Sequence, residues 1–119
     1  MMNINQFYQL YRERINALGV TGSDVTMETE RVAAKRIRVI THLSVENKTS
    51  AFTKCRLAIY NGAVDFHVDE AIFPSEDELL VHPKDILLGE GDRLQARLTG
   101  TTTGDELELH AIGWEMPRE

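Results

Sequence analysis

Four histidines, one cysteine and a short alternation of acids are the residues of this 119-residue chain that could do chemistry. Asp65, His67 and Asp69 would project from one side of a strand, and three oxygen or nitrogen ligands at a spacing of two could approach a single cation. No second histidine, cysteine or carboxylate is tied to them by a metal-site spacing, and a solvated polar face accounts for them as well. A cupin-type centre needs a His-x-His pair, which is not in the sequence. Nucleophilic catalysis needs serine or cysteine set against histidine and an orienting acid. There is no G-x-S-x-G elbow, and Cys55, inside the alternating run at residues 54–59, reads as a small buried hydrophobe rather than a reactive thiol. As the only cysteine it can form no intrachain disulfide. Gly89-Glu90-Gly91-Asp92 lacks the phosphate-loop pattern and leads into a strand, so it is a turn. The expectation is a non-enzymatic protein with no metal and no cofactor. Exposed aromatic platforms on a β-sandwich bind sugars, and Tyr60 and Trp114 are the candidates for one, with ordinary packing at strand ends as the alternative.

These residues need a scaffold, and size and composition bound it. A chain of 119 residues suits one domain that buries its own core. Apolar residues at 42% and charged residues at 27% are globular rather than disordered composition. The uninterrupted apolar runs, such as Ile86-Leu87-Leu88, fall far short of the roughly 20 residues of a membrane-crossing helix, and the first residues lack the apolar stretch of a signal peptide. The expectation is a protein made in the cytoplasm, not exported by a signal peptide, with no membrane partner. A net charge of −6 argues against a nucleic-acid coat, which needs a dominant basic surface.

The charge is divided along the chain. Between residues 31 and 56, Arg31, Lys35, Arg36, Arg38, Lys48, Lys54 and Arg56 stand against Glu46. Between residues 65 and 92, Asp65, Asp69, Glu70, Glu76, Asp77, Glu78, Asp85, Glu90 and Asp92 stand against Lys84. Either the two runs lie side by side and neutralise each other, or they form separate faces that meet between subunits, with Arg31, Lys35, Arg36 and Arg38 as the basic one.

Ile4, Phe7, Tyr8, Tyr11, Ile15 and Leu18 follow the i, i+3, i+4 spacing of one helical face. With Asn3 as N-cap, Gln6 in the capping-box place and Gly19 as C-cap, they predict an N-terminal amphipathic helix. That face either packs on its own domain or docks on a neighbouring subunit. Gly22 marks a joint, so residues 1–22 are expected to be helix and joint and residues 23–119 a β domain. From there the period becomes two. Ile37, Val39, Leu43 and Val45 alternate with Arg36, Arg38, His42, Ser44 and Glu46. Residues 53–60 turn through Asn61-Gly62, a strong hairpin dipeptide, into residues 63–68. Residues 78–82 form a strand that ends before Pro83, and residues 86–88 are a short apolar segment. Residues 93–99 and 106–114 alternate around the turn at 100–105. This predicts a mainly β fold, an antiparallel β-sandwich of jelly-roll-like type, with one N-terminal amphipathic α-helix.

Residues 40–50 (Ile-Thr-His-Leu-Ser-Val-Glu-Asn-Lys-Thr-Ser), 57–62 (Leu-Ala-Ile-Tyr-Asn-Gly), 86–96 (Ile-Leu-Leu-Gly-Glu-Gly-Asp-Arg-Leu-Gln-Ala) and 111–115 (Ala-Ile-Gly-Trp-Glu) carry a family likeness. Together they resemble a small sandwich domain of accessory structural proteins of tailed phages, including that family's leucine, glycine, aspartate turn. The pattern spans residues 37–115 and leaves out the N-terminal segment. The resemblance implies a decoration, neck or tail component of a virion, one that self-associates and works by multivalent attachment rather than turnover, and whose partners are other phage structural proteins.

Overall fold

The computed structural model describes residues 9–49, 54–62, 65–72, 80–82 and 84–117. They form nine strands: β1 (Gln9–Leu18), β2 (Val25–Glu28), β3 (Arg36–Asn47), β4 (Lys54–Tyr60), β5 (Asp65–Ile72), β6 (Leu80–His82), β7 (Ile86–Leu88), β8 (Arg93–Thr99) and β9 (Glu106–Pro117). There is no helix among the described residues.

The strands make two antiparallel sheets. One runs β1-β9-β3-β6, with β7 also paired to β3: β6 lies against Leu43, Ser44 and Val45, and β7 against Arg38, Val39 and Ile40. The other runs β2-β8-β4-β5. One apolar core draws on both. Ile40, Leu43, Val45, Leu107, Leu109 and Ala111 come from the first sheet, and Met27, Cys55, Leu57, Leu94, Ala96 and Leu98 from the second. Cys55 is fully buried there, as its place in the alternation predicts.

The predicted N-terminal helix is not what the described residues form. Residues 9–18 are β1, paired with β9 from Gln9↔Glu115 to Leu18↔Glu106 without a break. Residues 3–8, including Ile4, Phe7 and Tyr8, lie outside the described residues. The segment also carries a two-residue period. Tyr11, Glu13, Ile15 and Ala17 turn toward the core, while Leu10, Arg12, Arg14, Asn16 and Leu18 face out. Pairing with β9 satisfies the backbone groups on one side of the strand along its whole length and buries Tyr11, and this tertiary gain overrides the weak helical spacing.

β3 holds a second correction. Its register against β9 shifts between Ile40 and His42, leaving Thr41 as the extra residue of a β-bulge. Beyond the bulge Leu43 and Val45 face in, as the alternation predicts. Before it the facing residues are Arg38 and Ile40, both buried, so Ile37 and Val39 fall on the outer side. Gly113 sits opposite Ile40 at this point. A Cβ there would overlap the Val39 carbonyl oxygen outright, so the close approach of the two backbones requires glycine.

One end of the molecule is tied by side chains. Asn47 Nδ2 and the Thr102 amide both donate to Asp105 Oδ2 at 2.8 Å, and the Gly19 amide donates to the Asp105 carbonyl at 2.8 Å. The β1–β2 turn and the β8–β9 turn are thereby joined to the end of β3.

Candidate assembly surface

The outer face of the β1-β9-β3 sheet carries an apolar row set by register. Leu10 lies opposite Trp114, Trp114 opposite Val39, and Val39 opposite Leu87, so four strands each place one apolar side chain in a line across the sheet. At a strand spacing of about 4.8 Å this line is roughly 14 Å long. Leu10 is 67% exposed, Leu87 65% and Trp114 46%. The half-buried pair Ile37 and Met116 borders the row on one side and Ile112 on the other. A contiguous exposed apolar patch of this kind marks interaction sites in soluble proteins. The bulge at Thr41 completes it, because the bulge is what places Ile37 and Val39 on this face.

The same face becomes charged toward the other end of the strands. Glu108 forms a close ion pair with Lys48 and a longer one with Arg14, Nε to Oε1 at 3.7 Å. Lys48 holds the Glu108 carboxyl below the usual carboxylate range, and Glu108 in turn raises the Lys48 ammonium. His42 and His110 stand edge to face with ring centroids 6.0 Å apart. His110 Nε2 is buried and has no hydrogen-bond partner among the described residues. Burial lowers the His110 pKa below its ordinary 6.5, and Arg12, Arg14 and His42 push the same way against a smaller pull from Glu108.

That depression gives a signed prediction. The unfolded chain takes up the proton near 6.5 and the folded chain only at lower pH, so between the two the unfolded state holds more protons and stability falls as pH falls. Urea midpoints at about pH 7.5 and about pH 5.5 are expected to differ in the original chain and to move closer together in His110→Gln. An unchanged difference in the variant would show that another group is responsible.

Directly beneath the face, Arg38 is buried at 3% exposure. Its Nη1 donates to the Glu30 carbonyl at 2.6 Å, and its Nε and Nη2 donate to Glu115 Oε2 at 3.3 and 3.2 Å. Its guanidinium lies 4.0 Å from the Tyr11 ring centroid, a cation–π contact. Glu13 Oε1 is 4.0 Å from Arg38 and accepts from the Tyr11 hydroxyl at 2.7 Å and from the Glu30 amide at 3.0 Å. Burial and the hydrogen bond to Glu13 raise the Tyr11 pKa above the ordinary phenol range, outweighing the opposite effect of Arg38. The group joins β1, β3, β9 and the chain after β2.

The residues singled out from the sequence are dispersed. Of the helix-face set, Tyr11 and Ile15 turn toward the core and Leu18 is exposed on the outer face, while Ile4, Phe7 and Tyr8 lie outside the described residues. Of the basic set, Arg31 and Lys35 are exposed, Arg36 donates to Gln9 Oε1 at 3.1 Å, and Arg38 is interior. Arg38 and Lys48 find their acids at Glu13, Glu115 and Glu108, outside the acidic run. Trp114 is on the outer face of the first sheet, and Tyr60 is on β4 in the second, so the two aromatics do not share a sheet. The side chains of Asp65, His67 and Asp69 are outside what the structure describes. The sequence pattern does not disclose β2 or the row through Leu10 and Leu87. The signal for the row is the i, i+2 apolar pair Ile37 and Val39 beside a run that changes phase.

No family model and no curated protein matches the chain. Among solved structures it is similar to a chain from Bacillus endospore appendages, described as a novel family of disulfide-linked pili, with TM-score 0.52 and 8% identity over 95% of this chain and 90% of that one. A chain from infectious bursal disease virus strain Gx aligns at TM-score 0.27 and 8% identity, over 93% of this chain and 42% of that one, too low a score to compare folds. The first likeness shows a shared fold across nearly the whole of both chains.

Proposed function

We propose that this chain is a structural subunit that works by attachment rather than by turnover, self-associating through the outer face of its β1-β9-β3 sheet. The observation that carries the reading is the row Leu10, Trp114, Val39 and Leu87, which leaves apolar surface in water that a second copy would cover. Two further points support it. The strand orders β1-β9-β3-β6 and β2-β8-β4-β5 are those of a jelly-roll-like β-sandwich, a scaffold used in viral capsids as well as in lectins and enzymes. The shared fold with a pilus chain adds an assembling protein built on the same framework. The finer part of the proposal rests on the sequence resemblance: a decoration, neck or tail accessory protein of a tailed-phage particle, made in the host cytoplasm and bound to other virion proteins.

Sedimentation velocity of the purified protein tests the self-association, and mass analysis of purified particles tests the location. A concentration-dependent oligomer is expected. Trp114→Lys with Leu87→Lys is expected to weaken it roughly thirtyfold or more while circular dichroism stays unchanged, because both side chains are exposed in the single chain. A strict monomer, or an oligomer indifferent to both changes, would refute the face as an interface.

A further inference from the structure

The edge of the first sheet offers a surface that the apolar row does not use. β1 ends the strand order, and among the described residues it pairs with β9 alone. Its ten residues keep one unbroken register. The other outermost strands are short or irregular: β2 has 4 residues, β6 and β7 have 3 each, and the pairing of β5 with β4 shifts between Leu57 and Ala58. A long, regular edge is a template for one more strand.

Its side chains say what that strand must carry. Arg12 and Arg14 are on the outer side, and Arg14 keeps 61% of its side chain exposed beside its long ion pair with Glu108. On the other side Ile15 and Ala17 pack against the core yet remain only partly covered. A strand laid beside β1 places each residue about 5 Å from the one opposite. Two of its side chains, two positions apart, would then face Arg12 and Arg14, the one between them would lie beside Glu13, and alternate ones beyond Arg14 would finish covering Ile15 and Ala17. The β1 edge of a second copy does not meet this requirement. The two antiparallel registers that keep the faces matched over nearly the full strand set Arg14 opposite Arg14, or Arg12 opposite Arg14, and like charges directly opposite are destabilising.

We propose that the open edge of β1 is an acceptor site for an extended segment of another protein, one with acidic residues at alternate positions and apolar residues between them. Backbone hydrogen bonds supply the attachment, and Arg12 and Arg14 select the sequence.

The probe is a labelled peptide, Thr-Val-Glu-Val-Glu-Val-Thr, with a counterpart in which lysine replaces both glutamates. Binding is read by fluorescence anisotropy, and its place by hydrogen exchange of the β1 amides. The glutamate peptide is expected to bind and to slow exchange in β1, and the lysine peptide is not. In the double variant Arg12→Glu, Arg14→Glu the preference is expected to invert, each affinity moving about tenfold or more. Should that variant fail to fold, Arg12→Gln alone is expected to weaken the glutamate peptide. Absence of binding, protection elsewhere in the chain, or affinities indifferent to Arg12 and Arg14 overturns the proposal. The backbone edge and the outer-face row share only Leu10 of β1, so a monomeric protein leaves this test standing, and a failed peptide test leaves the self-association standing.

Discussion

Adding a single methyl group at Gly113 is expected to unfold most of the protein or leave it insoluble. A Cβ at this position would overlap the Val39 carbonyl oxygen, and would sit 2.8 Å from the Val39 carbonyl carbon and 2.9 Å from Ile40 Cα. All three are backbone atoms of the neighbouring central strand, so no rotamer change relieves the overlap. β9 is paired with β1 on one side and β3 on the other, so moving it disturbs three strands of the first sheet. Overpacking of a core commonly costs about 1–3 kcal/mol, and a backbone clash at the centre of a sheet belongs at or above the top of that range. Gly91→Ala is the internal control. Gly91 has φ +82 and open space within 4 Å of where a Cβ would stand, so its cost is the positive φ alone, about 1–2 kcal/mol. Thermal unfolding of the two variants checks this: a Gly113→Ala midpoint within a few degrees of the original would mean that β3 and β9 can part without loss.

The second large effect is expected at Arg38. Arg38→Ala removes the cation that faces Glu115 and Glu13 and leaves the Glu30 carbonyl without its donor. Breaking a buried ion pair from one side costs about 3–5 kcal/mol. Both glutamate side chains keep 19% exposure and therefore some hydration, which places the expected loss near the lower end, about 3 kcal/mol. For a chain of this size that lowers the thermal midpoint by roughly 10 °C. Arg38→Lys is expected to recover only part of the loss, because an ammonium reproduces neither the two-nitrogen contact with Glu115 nor the guanidinium's cation–π contact with Tyr11. Urea unfolding of both variants measures it. An Arg38→Ala variant within about 1 kcal/mol of the original chain would refute the view that this group holds the sheet together.

Much of the scaffold was legible in the sequence where one face of a strand is core and the other is water. β3, β4, β8 and β9 all begin within a residue of where the alternation starts, and the Asn61-Gly62 turn holds Gly62 at φ +99. β1 reads as a helix because its outward Leu10 and Leu18 are apolar, which blurs a two-residue period, and Leu18 completes a helical one by coincidence. β2 offers only four residues, too few for any period to declare itself. The candidate surface was less legible than the fold. It depends on which residues of four separate strands fall into register, and neighbouring positions across a sheet are distant in sequence. The glycan candidates, Tyr60 and Trp114, lie on different sheets, which the sequence does not disclose for the same reason.

The bulge at Thr41 sets the parity of the first half of β3. With one residue fewer there, the residues before it would exchange sides: the arginine beneath the face would turn out to water, and Ile37 and Val39 would turn in. The sticky exterior and the ionic interior are thus opposite sides of one counting decision. Substitutions can tune either of them separately, but a one-residue insertion or deletion in the first half of this strand changes both together.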